Sequence, residues 1–261
     1  MLNPISFIVW NIRGASHPDS IKYLHKLYLD HRISLIILLE PMSDLRQLEV
    51  VRRCLKLDHG ASFLNGKAWF LWSRDFKLSF LEGEGQVVHA RLSFQSGAVV
   101  NVSAVYAKCT RVGRRPLWQA LEAFDAGRGE PWIVAGDFNV VSSADERKGG
   151  LPVNATNMDE FNTAMYTCGL SSVDFDGSTF TWTNGTLWQC LDRARVNSLW
   201  AAAYTFTKVS HLPRGRSDHS PLLIKARVGS VVPSSFRFLN MWRSHPSFLE
   251  TVSADWRASG S

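Results

Sequence analysis

The chain has 261 residues, 45% of them hydrophobic and 11% aromatic, enough for one large α/β domain or two small ones with a real core. A formal net charge of +6 lends weak support to a polyanionic partner and equally suits an ordinary basic protein. Cys54, Cys109, Cys168 and Cys190 form no Cys-x-x-Cys pair, which argues against zinc and for a reduced intracellular protein. No apolar run approaches the ~18 residues of a membrane span and no secretory leader pattern opens the chain, so a soluble protein is expected.

The pattern predicts a mostly apolar strand over residues 5–12 and a helix over 19–32, capped by Asp19 or Ser20. A second buried strand, 35–39, ends at Glu40-Pro41, because Pro41 cannot continue a ladder. This strand–helix–strand unit places Asn11 and Glu40 at one edge, the C-terminal edge at which open α/β sheets bind ligands. Ser43 opens a predicted helix over 44–57. Four strands follow, 67–73, 76–81, 86–94 and 98–107, and read as an antiparallel meander. Pro116 starts the next helix, with Leu117, Ala120, Leu121 and Phe124 inward, and Gly127 and Gly129 end it.

Trp132 to Ala135 reads as a buried strand that delivers Gly136-Asp137-Phe138-Asn139 to its edge. Gly136 permits a tight bend there. After a polar loop over 142–156, Asn157 and Glu160 resemble a capping box for a helix with Met158, Phe161, Met165 and Cys168 inward, closed by Gly169. A short helix near 197–203 and strands over 206–212 and 222–228 complete the domain, 1–228. Residues 229–261 differ: Pro233-Ser234-Ser235 reads as a linker, and aromatic anchors follow at Phe238, Trp242, Phe248 and Trp256.

The polar residues at strand ends form a set: Asn11, Glu40, Tyr106, Asp137, Asn139, Asp192, Asp218 and His219. Carboxylates and amides without cysteine suit a hard divalent cation with oxygen ligands, Mg²⁺ before Zn²⁺. Such an ion orients a phosphate and stabilises its developing charge. A carboxylate near a water can act as base, and a His paired with an Asp is held in one tautomer. These are the parts of a phosphodiester hydrolase.

Trp10-Asn11, Leu39-Glu40, Val105-Tyr106, Gly136-Asp137-Phe138-Asn139, Leu191-Asp192-Arg193 and Ser217-Asp218-His219-Ser220-Pro221 resemble, in order, the motifs of the endonuclease/exonuclease/phosphatase superfamily. Phe180-Thr181-Trp182-Thr183-Asn184 before Leu191-Asp192-Arg193 resembles the endonuclease domain of plant LINE-type (non-LTR) retrotransposons. Phe236-Arg237-Phe238 to Trp242 and His245 to Phe248 resemble the segment that leads towards a reverse transcriptase, whose Tyr-x-Asp-Asp centre is not present, as no Asp-Asp pair occurs.

The resemblance implies a four-layered α/β sandwich, two mixed β-sheets face to face and flanked by helices. It implies that Glu40 ligates Mg²⁺ (Mn²⁺ able to substitute), with Asn11 and Asp218 near the ion. Asp137 orients or deprotonates the attacking water, and Asn139 holds that water or a phosphate oxygen. His219, positioned by Asp192, contacts the scissile phosphate, and Tyr106 donates to the phosphate or the leaving group. Trp182, Arg193 and Arg13 are the implied nucleic-acid contacts. The expected activity is metal-dependent nicking of DNA to leave a 3′-hydroxyl; nothing indicates an oligomer, and DNA as substrate implies the nucleus.

The sequence also departs from the pattern. Pro41 stands where relatives often have Thr, and Arg13 where DNA-repair members carry an acidic residue. Plainer readings exist: Asn11 and Asn139 as turn caps, Asp192-Arg193 as a surface ion pair, Tyr106 and Trp182 as core residues. Arg111, Arg114 and Arg115 read as a phosphate-facing patch or a solvated loop. Two rival functions are a phosphatase acting on small phosphoesters and an inactive retroelement remnant that binds nucleic acid.

Overall fold

The computed structural model describes residues 3–125 and 129–229. Packing divides the chain into Met1–Val228 and Gly229–Ser261. The tail from 230 onwards, with its expected linker and aromatic anchors, lies outside the described residues, as does Gly127.

The chain begins β1 (Ile5–Asn11), α1 (Pro18–His31), β2 (Leu35–Leu39), α2 (Leu45–Cys54), β3 (His59–Phe63) and β4 (Ala68–Trp72). It continues β5 (Phe76–Glu84), β6 (Val87–Phe94), β7 (Val99–Tyr106), α3 (Arg111–Asp125), β8 (Trp132–Asp137), β9 (Arg147–Lys148) and α4 (Ala155–Thr167). The remainder is β10 (Ser171–Ser172), β11 (Phe175–Gly177), β12 (Trp182–Thr183), β13 (Trp188–Gln189), β14 (Asp192–Val196), α5 (Ser198–Ala203), β15 (Phe206–His211) and β16 (Leu222–Arg227). A seven-stranded sheet has the order β11-β15-β16-β1-β2-β4-β3, and a six-stranded sheet the order β10-β14-β8-β7-β6-β5. A small third sheet, β12-β13-β9, lies in the loops.

Strand periodicity explains the layers. Successive side chains of a strand face opposite ways. Phe7 and Val9 of β1, with Leu35, Ile37 and Leu39 of β2, pack against Val88, Ala90, Val100, Val102, Ile133 and Ala135 of the second sheet. The alternate residues Ile8, Trp10, Ile36 and Leu38 face outward, onto Leu24 and Leu27 of α1 and Leu48 and Val51 of α2. On the far side, Val105, Trp132 and Val134 meet Leu117, Leu121 and Phe124 of α3 and Phe161 and Met165 of α4. The result is the expected α/β sandwich in four layers. Because β1, β2 and β8 are covered on both faces, they read as continuous apolar runs. Truncating Phe7, which has no exposed surface, to alanine costs roughly 3–5 kcal/mol.

Several local expectations change. α1 is capped by His17, whose Nδ1 accepts from the Asp19 amide; α2 is capped by Asp44, not Ser43; and α4 by Asn154, not Asn157. For α2 and α4 a second residue of capping type stands within three positions of the expected one, while for α1 Pro18 at the first helical position moves the start back to His17. α3 begins at Arg111, so Pro116 lies inside it. Arg114, buried, ties this first turn down by donating to the carbonyls of Lys108, Cys109 and Asn139. Arg111 and Arg115 both pair with Glu160 of α4, so the three arginines form neither a free patch nor a loop. The meander holds only for β5-β6-β7: β4 pairs with β2 and β3 in the other sheet. Strand β3, with its Gly60 and weak alternation, carries no clear sequence signal. Among the described residues, no helix is long and apolar enough to cross a membrane.

Candidate active site

Sheet register brings the expected residues to one edge. β14, β8 and β7 are adjacent, and Asp192 pairs with Asp137, which pairs with Tyr106. Three neighbouring strands of the second sheet therefore end on three functional side chains in a row. In the first sheet, Asn11 ends β1 beside Leu39 of β2, Glu40 follows directly, and Asp218 and His219 lie in the loop entering β16.

Gly136 allows this row to form. It has φ +144°, and a Cβ there would lie 2.1 Å from the Val105 carbonyl oxygen on β7. Its purpose is close approach of two paired strands, not the tight bend expected from the sequence.

Three side-chain contacts cross between the sheets at this edge. Asn11 Nδ2 donates to Asp137 Oδ2 at 3.1 Å, the Tyr106 hydroxyl donates to Glu40 Oε1, and His219 Nδ1 lies 2.8 Å from Asp192 Oδ2. His219 Nε2 is 3.9 Å from Asp137 Oδ2. Asp137, Asp192 and His219 are all buried, and their ligand-type atoms lie within 4.8 Å of one another. Asp192 thus pairs with His219 and is no surface partner of Arg193.

Burial and neighbouring charges set the protonation of this trio. Burial, then the Asp192 charge, raises the Asp137 carboxyl to about 7, against the opposing pull of His219, the Asn139 amide and Asn11. For His219, burial disfavours the imidazolium, but the charge and hydrogen bond of Asp192, then Asp137 and Asp218, outweigh it and raise the ring to about 9. Near neutral pH the ring is charged and the Asp137 carboxyl is close to its midpoint. Burial, then the hydrogen bond to Glu40, pushes the Tyr106 hydroxyl up, so it keeps its proton.

Asn139 adopts φ +51°. Its backbone N–H donates to Asp137 Oδ1 at 2.9 Å, and its Nδ2 donates to the Ala107 carbonyl at 2.8 Å. Its side-chain amide thus braces the loops beside Asp137. Glu40 also adopts a left-handed conformation, φ +47°, immediately before Pro41.

The acidic residues expected around a cation are joined through a guanidinium. Arg13 Nε lies 3.3 Å from Glu40 Oε2, and Arg13 Nη1 lies 3.2 Å from Asp218 Oδ2. Asp218 Oδ2 also accepts from the indole N–H of half-buried Trp182 at 2.8 Å. Two acceptors of the set are buried without a hydrogen-bond partner: Asn11 Oδ1 and Asp218 Oδ1. An orphaned buried acceptor is costly, and a hard cation satisfies oxygen acceptors of this kind. The all-oxygen set of Glu40, Asp218 and Asn11 therefore fits a divalent cation.

Arg193 corrects an expectation. It is buried, and its guanidinium is spent on Glu146 (2.8 Å) and on the carbonyls of Val140 and Cys190. Burial alone raises the Glu146 carboxyl, but Arg193 and the Ser142 hydrogen bonds outweigh it and hold the group low. Both terminal nitrogens are engaged and Nε, though without a partner, is buried, so the guanidinium does not present itself to a phosphate; it braces the Asp192 strand.

Several supporting residues stood in the motifs without a role. Ser217 Oγ donates to the Asn11 carbonyl and accepts the His219 N–H. Trp10 Nε1 donates to the His219 carbonyl. Thr181 Oγ1 accepts the N–H groups of Leu191 and Asp192. Glu146 gave no signal at all, since a lone Glu in a polar loop is unremarkable until its partner is known.

The family model described as Endonuclease/Exonuclease/phosphatase family matches residues 8–219, well over half of the chain. No curated protein matches. Among solved structures, the endonuclease domain of TRAS1, a telomere-specific non-LTR retrotransposon, is similar at TM-score 0.64 and 13% identity, over 87% of this chain and 100% of that one. The AP endonuclease LMAP from Leishmania major is similar at 0.63 and 14%, over 87% and 88% of the two chains. The 3′ phosphatase NExo from Neisseria, bound to a product DNA hairpin, is similar at 0.64 and 16%, over 87% and 100%. At these identities the likeness is one of fold.

Proposed function

The chain belongs to the endonuclease/exonuclease/phosphatase family, and from that membership we propose that it is a Mg²⁺-dependent endonuclease that nicks DNA and leaves a 3′-hydroxyl, derived from a retroelement. One observation carries the reading: Asn11–Asp137, Tyr106–Glu40 and Asp192–His219 link the two sheets at a single edge. They gather acid, base and cation ligands where a phosphodiester can meet all of them.

The chain's own groups divide the chemistry. Asp137, with its carboxyl raised to about 7, can take a proton from a water at neutral pH. Asn11 Nδ2, donating to Asp137 Oδ2, aims that carboxylate. His219, charged at neutral pH and held at Nδ1 by Asp192, presents Nε2 to a phosphate oxygen. At 3.9 Å, His219 Nε2 and Asp137 Oδ2 face each other directly, so both groups border the same small region of the edge. Tyr106 keeps its proton and donates it to Glu40 Oε1; to serve the phosphate or the leaving oxygen the hydroxyl must turn away from that carboxylate. Glu40, Asp218 and Asn11 hold the cation, which when bound stabilises developing charge on the phosphate. Exposed Arg13 and half-buried Trp182 flank this edge and face the nucleic acid. A DNA substrate places the protein in the nucleus.

The test is a supercoiled-plasmid assay with the purified chain. The expected result is nicking with Mg²⁺ or Mn²⁺, none with EDTA, and nicked ends that a polymerase extends. Glu40→Ala, Asp137→Ala and His219→Ala each lower the rate by at least ~10². Phosphate release from small phosphoesters without nicking would move the assignment to a phosphatase. Salt-sensitive DNA binding without turnover would leave a binding remnant.

A further inference from the structure

We propose that Arg13 competes with the divalent cation for Glu40 and Asp218, so that its guanidinium must be displaced for the ion to bind. The proposal rests on the reading above that these carboxylates hold the ion. Arg13 Nε and Nη1 reach Glu40 Oε2 and Asp218 Oδ2 at 3.3 and 3.2 Å, and so span the two carboxylates. The Tyr106 hydroxyl takes Glu40 Oε1, and the Trp182 indole shares Asp218 Oδ2. Of the four oxygens on these two carboxylates, Asp218 Oδ1 is the one left buried without a partner. A cation that takes Glu40 Oε2 must therefore take it from the guanidinium, and a cation at Asp218, even at the unpartnered Oδ1, lies beside the positive Nη1 that holds Oδ2.

The backbone under Arg13 is held firmly, so the exchange falls on its side chain. Ile12, Gly14 and Ala15 donate their N–H groups to the carbonyls of Leu39, Glu40 and Pro41 at 2.7–2.9 Å. Arg13 itself is left-handed, φ +47°, a conformation that costs an L-residue energy and persists only where its surroundings impose it. The loop after β1 is thus laced to the loop after β2, and Arg13 is set directly over Glu40. The side chain, by contrast, is 43% exposed, well above its partners Glu40 and Asp218, so the guanidinium can swing to solvent while the carboxylates stay in place. The guanidinium offsets the repulsion between the two carboxylates when no stronger cation holds them. It also weakens the site's affinity for that cation by the free energy of its own contacts.

The experiment compares Mn²⁺ binding, by calorimetry and by the electron paramagnetic resonance of free Mn²⁺, in the wild-type chain, Arg13→Gln and Arg216→Gln. Arg216 is an exposed cation of the loop preceding Ser217, without contact to Glu40 or Asp218, and its variant controls for general charge. The expected result is Mn²⁺ affinity about tenfold higher in Arg13→Gln and changed less than about twofold in Arg216→Gln. The metal-free Arg13→Gln chain also melts lower than wild type, and saturating Mn²⁺ closes the gap. Equal or weaker binding by Arg13→Gln, or an equal gain in Arg216→Gln, overturns the proposal and leaves the cation reading intact. If neither wild type nor Arg13→Gln binds Mn²⁺, the cation reading fails and takes the proposal with it.

Discussion

His219 Nδ1 lies 2.8 Å from Asp192 Oδ2, although Asp192 opens β14 of one sheet and His219 lies in the loop entering β16 of the other. The pair is buried, and it closes the sandwich at the edge where Asp137 and Asn11 also meet. Its geometry and charge govern the first two predictions.

The rate should follow a bell-shaped pH profile. Activity needs Asp137 without its proton and His219 with one, so kcat/KM rises as pH passes about 7 and falls as it passes about 9. These values belong to the interacting set as a whole. Asp192→Asn removes the charge that most raises the His219 ring. The alkaline limb then moves down by at least about one pH unit, and the rate at pH 8 drops roughly 10²-fold. A profile of kcat/KM from about pH 5.5 to about 10 checks both; an unmoved alkaline limb would dissociate His219 from Asp192.

Asp137 is held at a cost to stability. Its folded value of about 7 lies above its ordinary 3.8, so folding favours the protonated carboxyl. That contribution is complete below pH ~4 and is lost as pH rises through about 7. Asparagine does not titrate. Asp137→Asn should therefore match wild type in stability near pH 4 and exceed it at pH 8, by at most about 4 kcal/mol, while activity disappears. Urea denaturation at the two pH values measures the difference, and an advantage that shrinks as pH rises would contradict the sign.

Gly136→Ala should unfold the edge. The added Cβ would sit 2.1 Å from the Val105 carbonyl oxygen, a backbone atom that cannot rotate away, at φ +144°. A loss of roughly 3 kcal/mol or more is expected, with activity falling alongside. A thermal scan with circular dichroism decides it; a variant as stable as wild type would mean that β7 and β8 are not in this register.

Arg193→Ala should act through folding rather than through DNA contact. It removes the counter-ion of partly buried Glu146, which keeps only its Ser142 hydrogen bonds, at a cost of about 1–3 kcal/mol. The double variant Glu146→Gln/Arg193→Met should be less destabilised than Arg193→Ala. Where the double variant stays folded, its affinity for a DNA duplex should match wild type. A fall in affinity with stability intact would restore Arg193 as a nucleic-acid contact.

Much of this was legible in the linear chain. Runs such as Leu35-Ile36-Ile37-Leu38-Leu39 announce strands buried on both faces, because each side chain must meet an apolar layer whichever way it points. The abrupt change to polar residues at Asn11, Glu40, Asp137 and Asp218 marks where those strands leave the core. Order and local context together were enough to suggest the family. What one dimension could not carry was partner choice. Asp192 is adjacent in sequence to Arg193, yet register sends Asp192 to His219 and turns Arg193 towards Glu146, a loop residue with no motif around it. Arg13 reads from the sequence as a contact for nucleic acid alone; that backbone hydrogen bonds between two loops also set it across Glu40 and Asp218 is visible only in the fold. Side-chain alternation and polarity are local properties, and the sequence alone determined them. Which charge lies opposite which depends on strand register and on how two sheets stack, and only the tertiary structure decided that.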